Sequence, residues 1–200
     1  VNTLKADNKD FTSENKELEQ LDAIGRVAWA WDRFGEDLVV STSFGLQSAV
    51  MLHLVSKVNK EIPIIFVDTG YLFPETYEYA ETLCEKLGIR PKTFSAGLSQ
   101  TYQEIRFGKL WKQGAEGMER YNLMNKIEPM QRALKQVNAK GWLSGLRREQ
   151  SKSRADRTYV ETQNGTVKIY PILDWDERTT YEYLPANNLP YHPLEGKGYD

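Results

Sequence analysis

Apolar residues along this chain come in short blocks that alternate with stretches of helical period. LVVS (38–41) and IPIIFV (62–67) read as strands, each followed by a segment with helical patterning, 46–58 and 75–87. Gly88 ends the second of these helices, and Lys92–Ser95 reads as a short strand. Residues 99–137 are helical in pattern, with breaks expected at Gly108, Gly114, Gly117 and Pro129. GWLSGL (141–146) is a further strand. Asn164-Gly165 between Tyr159–Thr162 and Thr166–Tyr170 predicts a tight hairpin, and Thr179–Leu184 a closing helix. Upstream, Leu21, Ile24, Ala28 and Trp31 predict one helix face, with Ser13 as its cap; residues 1–13 are mostly polar and expected to be loose. Strands alternating with helices predict an α/β domain, a mostly parallel twisted sheet with helices on both faces. No repeat or linker interrupts it, so residues 1–200 read as a single domain.

Composition narrows the function. With 40% hydrophobic and 27% charged residues the chain is an ordinary globular one, and a net charge of −2 supplies no field for nucleic acid. Its apolar runs are too short to span a membrane, and no N-terminal stretch resembles a leader. One cysteine, Cys84, excludes an internal disulfide and a cysteine-built zinc or iron–sulfur site. These features together predict a cytoplasmic protein. Because the chain starts at Val1 and stops at EGKGYD, it is expected to be part of a longer product.

In open α/β sheets ligands bind beyond the carboxyl ends of the strands, so the residues after each apolar run carry the chemistry. STSFGLQS (41–48) puts hydroxyls and the free N–H groups of a helix start together, which suits a phosphate or sulfate; the same residues also make a plain Ser/Thr cap. Gly45 is expected to let backbone and ligand approach closely. It is not a Walker A loop, having no Gly-Lys-Ser/Thr. In VDTGYLFPET (67–76), Asp68 either accepts from an adenosine group or merely forms a turn with Gly70. After the strand ending at Leu146, three Arg and one Lys fall within RREQSKSR, either a bidentate anion clamp or a solvated face. Three such loops at one rim favour a ligand.

Together STSFGLQS, VDTGYLFPET, FGKLW (107–111), NKIEPM (125–130), GLRREQSKSR (145–154) and PILDW (171–175) resemble the phosphoadenosine phosphosulfate (PAPS) reductase family, from about Leu18 to Tyr199. The resemblance implies an adenine-nucleotide alpha-hydrolase-like fold, related to ATP pyrophosphatases whose equivalent loop reads Ser-Gly-Gly-x-Asp-Ser. Here Gly-Gly gives way to Ser43-Phe44-Gly45 and the Asp to Gln47, which argues against ATP–magnesium chemistry. A second branch of the family reduces adenosine phosphosulfate on an iron–sulfur cluster, with a Cys-Cys pair just before the segment matching NKIEPM. This chain has ERYNLM there and so resembles the cluster-free branch, which takes the 3′-phosphorylated substrate.

That branch reduces 3′-phosphoadenylyl sulfate to sulfite and adenosine 3′,5′-bisphosphate, in sulfate assimilation toward cysteine. The resemblance implies no bound cofactor, reduced thioredoxin or glutaredoxin as electron donor, and a homodimer to which the segment around Trp111 and Tyr121 contributes. The family's nucleophile lies in a C-terminal Glu-Cys-Gly-x-His segment that these residues do not contain; it is expected in a missing mobile tail, and Cys84 is assigned a packed structural place. Ser41, Ser43, Gly45, Gln47 and Ser48 are assigned to phosphate or sulfate, Asp68 and Gly70 to the adenosine. Arg147, Arg148 and Arg154 are assigned to the anions with Ser151 and Ser153, and Lys109 and Lys126 are further candidate cations. His53 and His192 are assigned structural places, and the five tryptophans are too scattered for a nucleic-acid stacking platform. The competing readings are an adenosine phosphosulfate reductase-like activity, an ATP-pyrophosphatase-type adenylyltransferase, and nucleotide binding without catalysis if the gene ends near Asp200.

Overall fold

The computed structural model describes residues 10–198, so most of the segment expected to be loose lies outside the described residues. Helix α1 (Thr12–Glu19) begins where the Asp10 carboxylate accepts from the Thr12 N–H at 2.9 Å, so Ser13 lies inside a helix and does not cap one. A second helix, α2 (Ala23–Phe34), is capped by Asp22, which accepts from the Gly25 N–H at 2.7 Å. Its core face is Ala23, Arg26, Val27 and Ala30, while Ile24 is 43% exposed. The face is rotated from the expected one because Arg26, a polar residue by type, is the residue that goes inside.

Strand β1 (Leu38–Thr42) leads to α3 (Ser48–Val58), β2 (Ile64–Asp68), α4 (Pro74–Leu87) and β3 (Lys92–Ser95). Pro74 occupies the first turn of α4, where its missing N–H costs nothing, and Gly88 at φ 65° ends that helix in the left-handed conformation. Next along the chain are helices α5 (Gln100–Phe107), α6 (Gly114–Asn122) and α7 (Glu128–Gln136). Gly108 and Gly114 punctuate them as expected, but Gly117 lies within α6. A Cβ there would come within 2.3 Å of the Leu110 carbonyl oxygen, so this glycine serves close packing and breaks nothing. Between α6 and α7, Leu123–Ile127 winds as a π-helical turn. Pro129 has no N–H to offer a carbonyl one turn back, and the wider turn absorbs that loss without a break. Strands β4 (Gly141–Leu143), β5 (Val160–Gln163), β6 (Thr166–Ile169) and helix α8 (Glu177–Ala186) complete the order.

The sheet runs β3-β2-β1-β4-β6-β5, parallel throughout except for the antiparallel β5–β6 hairpin. Asn164 (φ 52°) and Gly165 (φ 80°) make that hairpin's turn. Alternation along the strands divides the core. Leu38, Val40, Ile64 and Phe66 face helices including α2, α3 and α4, while Val39, Ile65, Val67, Phe94 and Trp142 face α7 through Ala133, Met130 and Leu134. Chain order β1, β2, β3 runs to one side of β1, and β4 sits on its other side. This reversal opens a crevice at the carboxyl ends of β1 and β4, the switch point where α/β sheets receive ligands. Among the described residues no helix is long and apolar enough to cross a membrane.

Candidate functional site

The loop after β1 is held by its apolar residue. Phe44 sits at φ 50°, a left-handed conformation that costs a β-carbon-bearing residue about 1–3 kcal/mol. Its ring is 1% exposed and meets Phe66 edge to face at 4.9 Å; such burial returns about 1.5–3 kcal/mol and offsets the strain. The Thr42 hydroxyl accepts from the Phe44 N–H at 3.0 Å. The strained residue of the loop is thus Phe44 and not Gly45, where an added Cβ would make only an ordinary 3.6 Å contact with Ser43 Oγ. Ser43 is exposed. Ser41 faces the α7 side, and its Oγ accepts from Trp142 Nε1 at 2.8 Å. No side chain caps α3, and Ser48 Oγ is buried there without a hydrogen-bond partner, beside the Tyr79 hydroxyl. Backbone carbonyls cover part of that first turn instead: Ser48 N–H donates to the Gly45 carbonyl at 3.0 Å and Val50 N–H to the Gln47 carbonyl at 3.2 Å.

Across the crevice, the loop after β4 brings in Arg147. It is 5% exposed, and its Nη2 donates to Gln47 Oε1, tying together the loops that follow β1 and β4. Its Nη1 is buried without a hydrogen-bond partner, and Glu149 Oε2 stands 3.6 Å away. Burial pushes the Arg147 pKa down, against the pull of Glu149, Glu177 and Asp176. Gln150, which no sequence pattern singles out, organises the rest: its Oε1 accepts from Arg154 Nη1 and from the Arg147 N–H at 3.2 Å. Ser151 and Ser153 pair through their hydroxyls at 2.9 Å. Arg148 parts company with these, donating to the Arg157 carbonyl at 3.0 Å and lying 5.2 Å over the Tyr159 ring.

On the neighbouring strand, Asp68 Oδ1 accepts from the Gly70 N–H at 2.8 Å and the Tyr77 hydroxyl at 2.7 Å. Asp68 does form the turn, then, and Gly70 takes φ 73° in it. The chain runs on into an aromatic trio of Tyr71, Trp111 and Tyr121, with centroids 4.8 to 6.2 Å apart. Lys126 lies 5.8 Å over the Tyr121 ring, and Lys109 is 3.9 Å from Glu104; both lysines are exposed.

Residues 37–200 match the phosphoadenosine phosphosulfate reductase domain. The chain belongs to that family. It is 55% identical over 185 residues to a phosphoadenosine 5′-phosphosulfate reductase of Escherichia coli O157:H7, a span of 92% of this chain and 76% of the relative. Its fold matches a phosphoadenylyl-sulfate reductase from Candida auris, crystallised with phosphate, at a TM-score of 0.83 and 27% identity, over 100% of this chain and 96% of that one. An ATP complex of FMN adenylyltransferase from Candida glabrata aligns at a TM-score of 0.56 and 13% identity, over 96% of this chain and 62% of that one, and shares the nucleotide-binding fold alone.

In this member of the reductase family, other polar groups are structural. Cys84 lies in α4 against the core, and burial, with Glu81 nearby, pushes its thiol up to about 11, so little thiolate is present at neutral pH. His53 Nδ1 meets the Tyr183 hydroxyl at 2.8 Å, joining α3 to α8, and His192 is buried with Nε2 3.2 Å from Thr76 Oγ1. Burial lowers the pKa of both imidazoles. Asp174, in the PILDW stretch, pairs with Arg26 at 2.6 Å. Burial alone would raise its pKa, but bonding to Arg26 outweighs that and holds the carboxyl below its ordinary range. Asn125, in NKIEPM, is fully buried in the π-turn and exchanges amide hydrogen bonds with Gln103 at 2.8 and 3.0 Å. Two of the family's motifs thus hold the scaffold.

Proposed function

We propose that this chain is the sulfonucleotide-binding domain of a thiol-dependent reductase that converts 3′-phosphoadenylyl sulfate to sulfite and adenosine 3′,5′-bisphosphate. Membership of the family and the names of the relatives support the activity. The observation that carries the site is Arg147, a buried cation with an unsatisfied donor, held against the loop after β1 at the switch point. Such a cation favours an anion. Ser43, Gly45 and Ser48 would then receive phosphate or sulfate, with Arg147 and Arg154 and the Ser151–Ser153 pair on the opposite wall. Asp68 and Gly70 would border the adenosine, and Lys109 and Lys126 would supply outlying positive charge. Ser41, held by Trp142, and Arg148, drawn toward Tyr159, would support the walls.

In the reaction, a thiolate attacks the sulfonate sulfur, the sulfur–oxygen bond to the phosphate breaks, and the bisphosphate departs with that electron pair. A second thiol, from thioredoxin or glutaredoxin, then forms a disulfide with the enzyme sulfur and frees sulfite. Cys84, the one cysteine of these 200 residues, is packed in α4 against the core, which argues that the attacking thiol comes from outside them. The exposed apolar side chains Tyr102, Ile105, Met118, Leu123 and Ile127 along α5, α6 and the π-turn support a homodimer.

Calorimetric titration with 3′-phosphoadenylyl sulfate, adenosine phosphosulfate and ATP–magnesium tests the reading. The 3′-phosphorylated ligand is expected to bind at least tenfold more tightly, about 1.4 kcal/mol. Equal binding of adenosine phosphosulfate would move the chain to the other substrate. Binding of ATP–magnesium alone would overturn the reductase assignment.

A further inference from the structure

Gln47 and Arg147 meet from loops 100 residues apart. Arg147 is buried, yet the side chain that receives its hydrogen bond is a neutral amide. The nearest carboxylate, Glu149, lies 3.6 Å off and is 54% exposed, and its Oε2 already accepts from the Glu177 N–H at 2.6 Å. Nη1 has that loose ion pair but no hydrogen-bond partner. A buried guanidinium of this kind normally closes a bidentate bridge with a carboxylate, and leaving one of its donors unsatisfied costs stability. A Gln accepts one bond with much the same geometry as a carboxylate but cancels no charge.

We propose that Gln47 is a positioning residue: it holds the Arg147 guanidinium at the crevice while keeping its charge, and its Nη1 edge, for an anionic group of the nucleotide. This rests on the reading of the crevice as the sulfonucleotide site. A carboxylate at position 47 would occupy Arg147 in place of the ligand, satisfying the protein at the expense of binding. Affinity and stability then move in opposite directions, which a simple structural brace would not produce.

The test compares the native chain with Gln47→Glu and Gln47→Ala by calorimetry with adenosine 3′,5′-bisphosphate and by thermal unfolding without ligand. Gln47→Glu is expected to bind at least tenfold more weakly while melting higher. Gln47→Ala is expected to lose about threefold in affinity and to melt lower. Native-like binding by Gln47→Glu, within twofold, would overturn the proposal while leaving the site reading intact. Parallel loss of affinity and melting temperature in Gln47→Glu would also overturn it, marking Gln47 as a brace. If the native chain fails to bind the bisphosphate, the site reading itself falls, and this proposal with it.

Discussion

Arg26 and Arg147 are buried to nearly the same depth, at 3% and 5% exposure, and the protein treats them oppositely. Arg26 gives Nε to the Leu18 carbonyl at 2.8 Å and Nη1 to the Pro171 carbonyl at 2.9 Å. Its two Nη atoms grip both Asp174 oxygens at 2.6 and 3.0 Å, and the Tyr159 hydroxyl takes a further bond at 3.2 Å. The guanidinium is saturated, and it ties α1 and α2 to the segment after β6. Arg147 has one side-chain hydrogen-bond acceptor, without charge, a loose 3.6 Å ion pair with the half-exposed Glu149, and an Nη1 with no hydrogen bond. A saturated buried cation belongs to the scaffold, whereas an under-satisfied one at a strand switch point is the group proposed above to receive an anion.

The sharpest way to break this comparison is to remove each arginine in turn. Arg26→Ala leaves Asp174 and two carbonyls without their donor and is expected to lower unfolding free energy by about 3–5 kcal/mol, read by urea titration. Arg147→Ala is expected to leave stability within about 1 kcal/mol of native, since one neutral bond, a loose half-exposed ion pair and an unsatisfied buried donor disappear together. It should nevertheless weaken adenosine 3′,5′-bisphosphate by about a hundredfold, ~2.7 kcal/mol. The contrast fails if the two variants lose stability equally.

A milder test uses the other saturated group. Gln103→Leu leaves the buried Asn125 Oδ1 without its donor, while Nδ2 keeps the Tyr121 carbonyl, and is expected to cost about 1–3 kcal/mol; adding Asn125→Leu should return part of that loss. A further effect is electrostatic. Lys168 lies 3.7 Å from the Trp142 ring, and burial pulls its pKa down to about 8 from an ordinary 10.5. Between those values the unfolded chain binds more protons, so this group makes stability rise with pH through that window. Native protein should therefore gain about 2 kcal/mol between pH 7.5 and 9.5 relative to Lys168→Met, read from urea midpoints. Tyr170, whose pKa burial and Glu161 raise, acts in the opposite sense only above pH 10.

Much of this fold is legible in the pattern of residues. The blocks at 38–41, 62–67 and 92–95 became β1, β2 and β3 within two residues, because apolar strand runs bounded by turn residues leave few alternatives. Gly88 and Asn164-Gly165 acted where their φ angles were needed. Several of the departures share one cause: polar or small residues used for packing. Arg26 turned the face of α2, Gly117 passed for a break, and Asn125 sat inside a π-turn that no periodicity announces. At the crevice, sequence picked out the loops that border it but could not rank their side chains. Arg147, Arg148 and Arg154 look alike in RREQSKSR, yet one faces Gln47, one Tyr159 and one Gln150.

By itself the sequence determined the α/β class, the strand-end loops and the family, since these rest on local periodicity, turn chemistry and ordered motifs. Only the tertiary structure decided which cation is left unsatisfied. That outcome depends on β4 pairing with β1, which sets Arg147 against Gln47 across a separation of 100 residues. Burial and hydrogen-bond saturation are properties of such non-local neighbours, and no local window of the chain contains them.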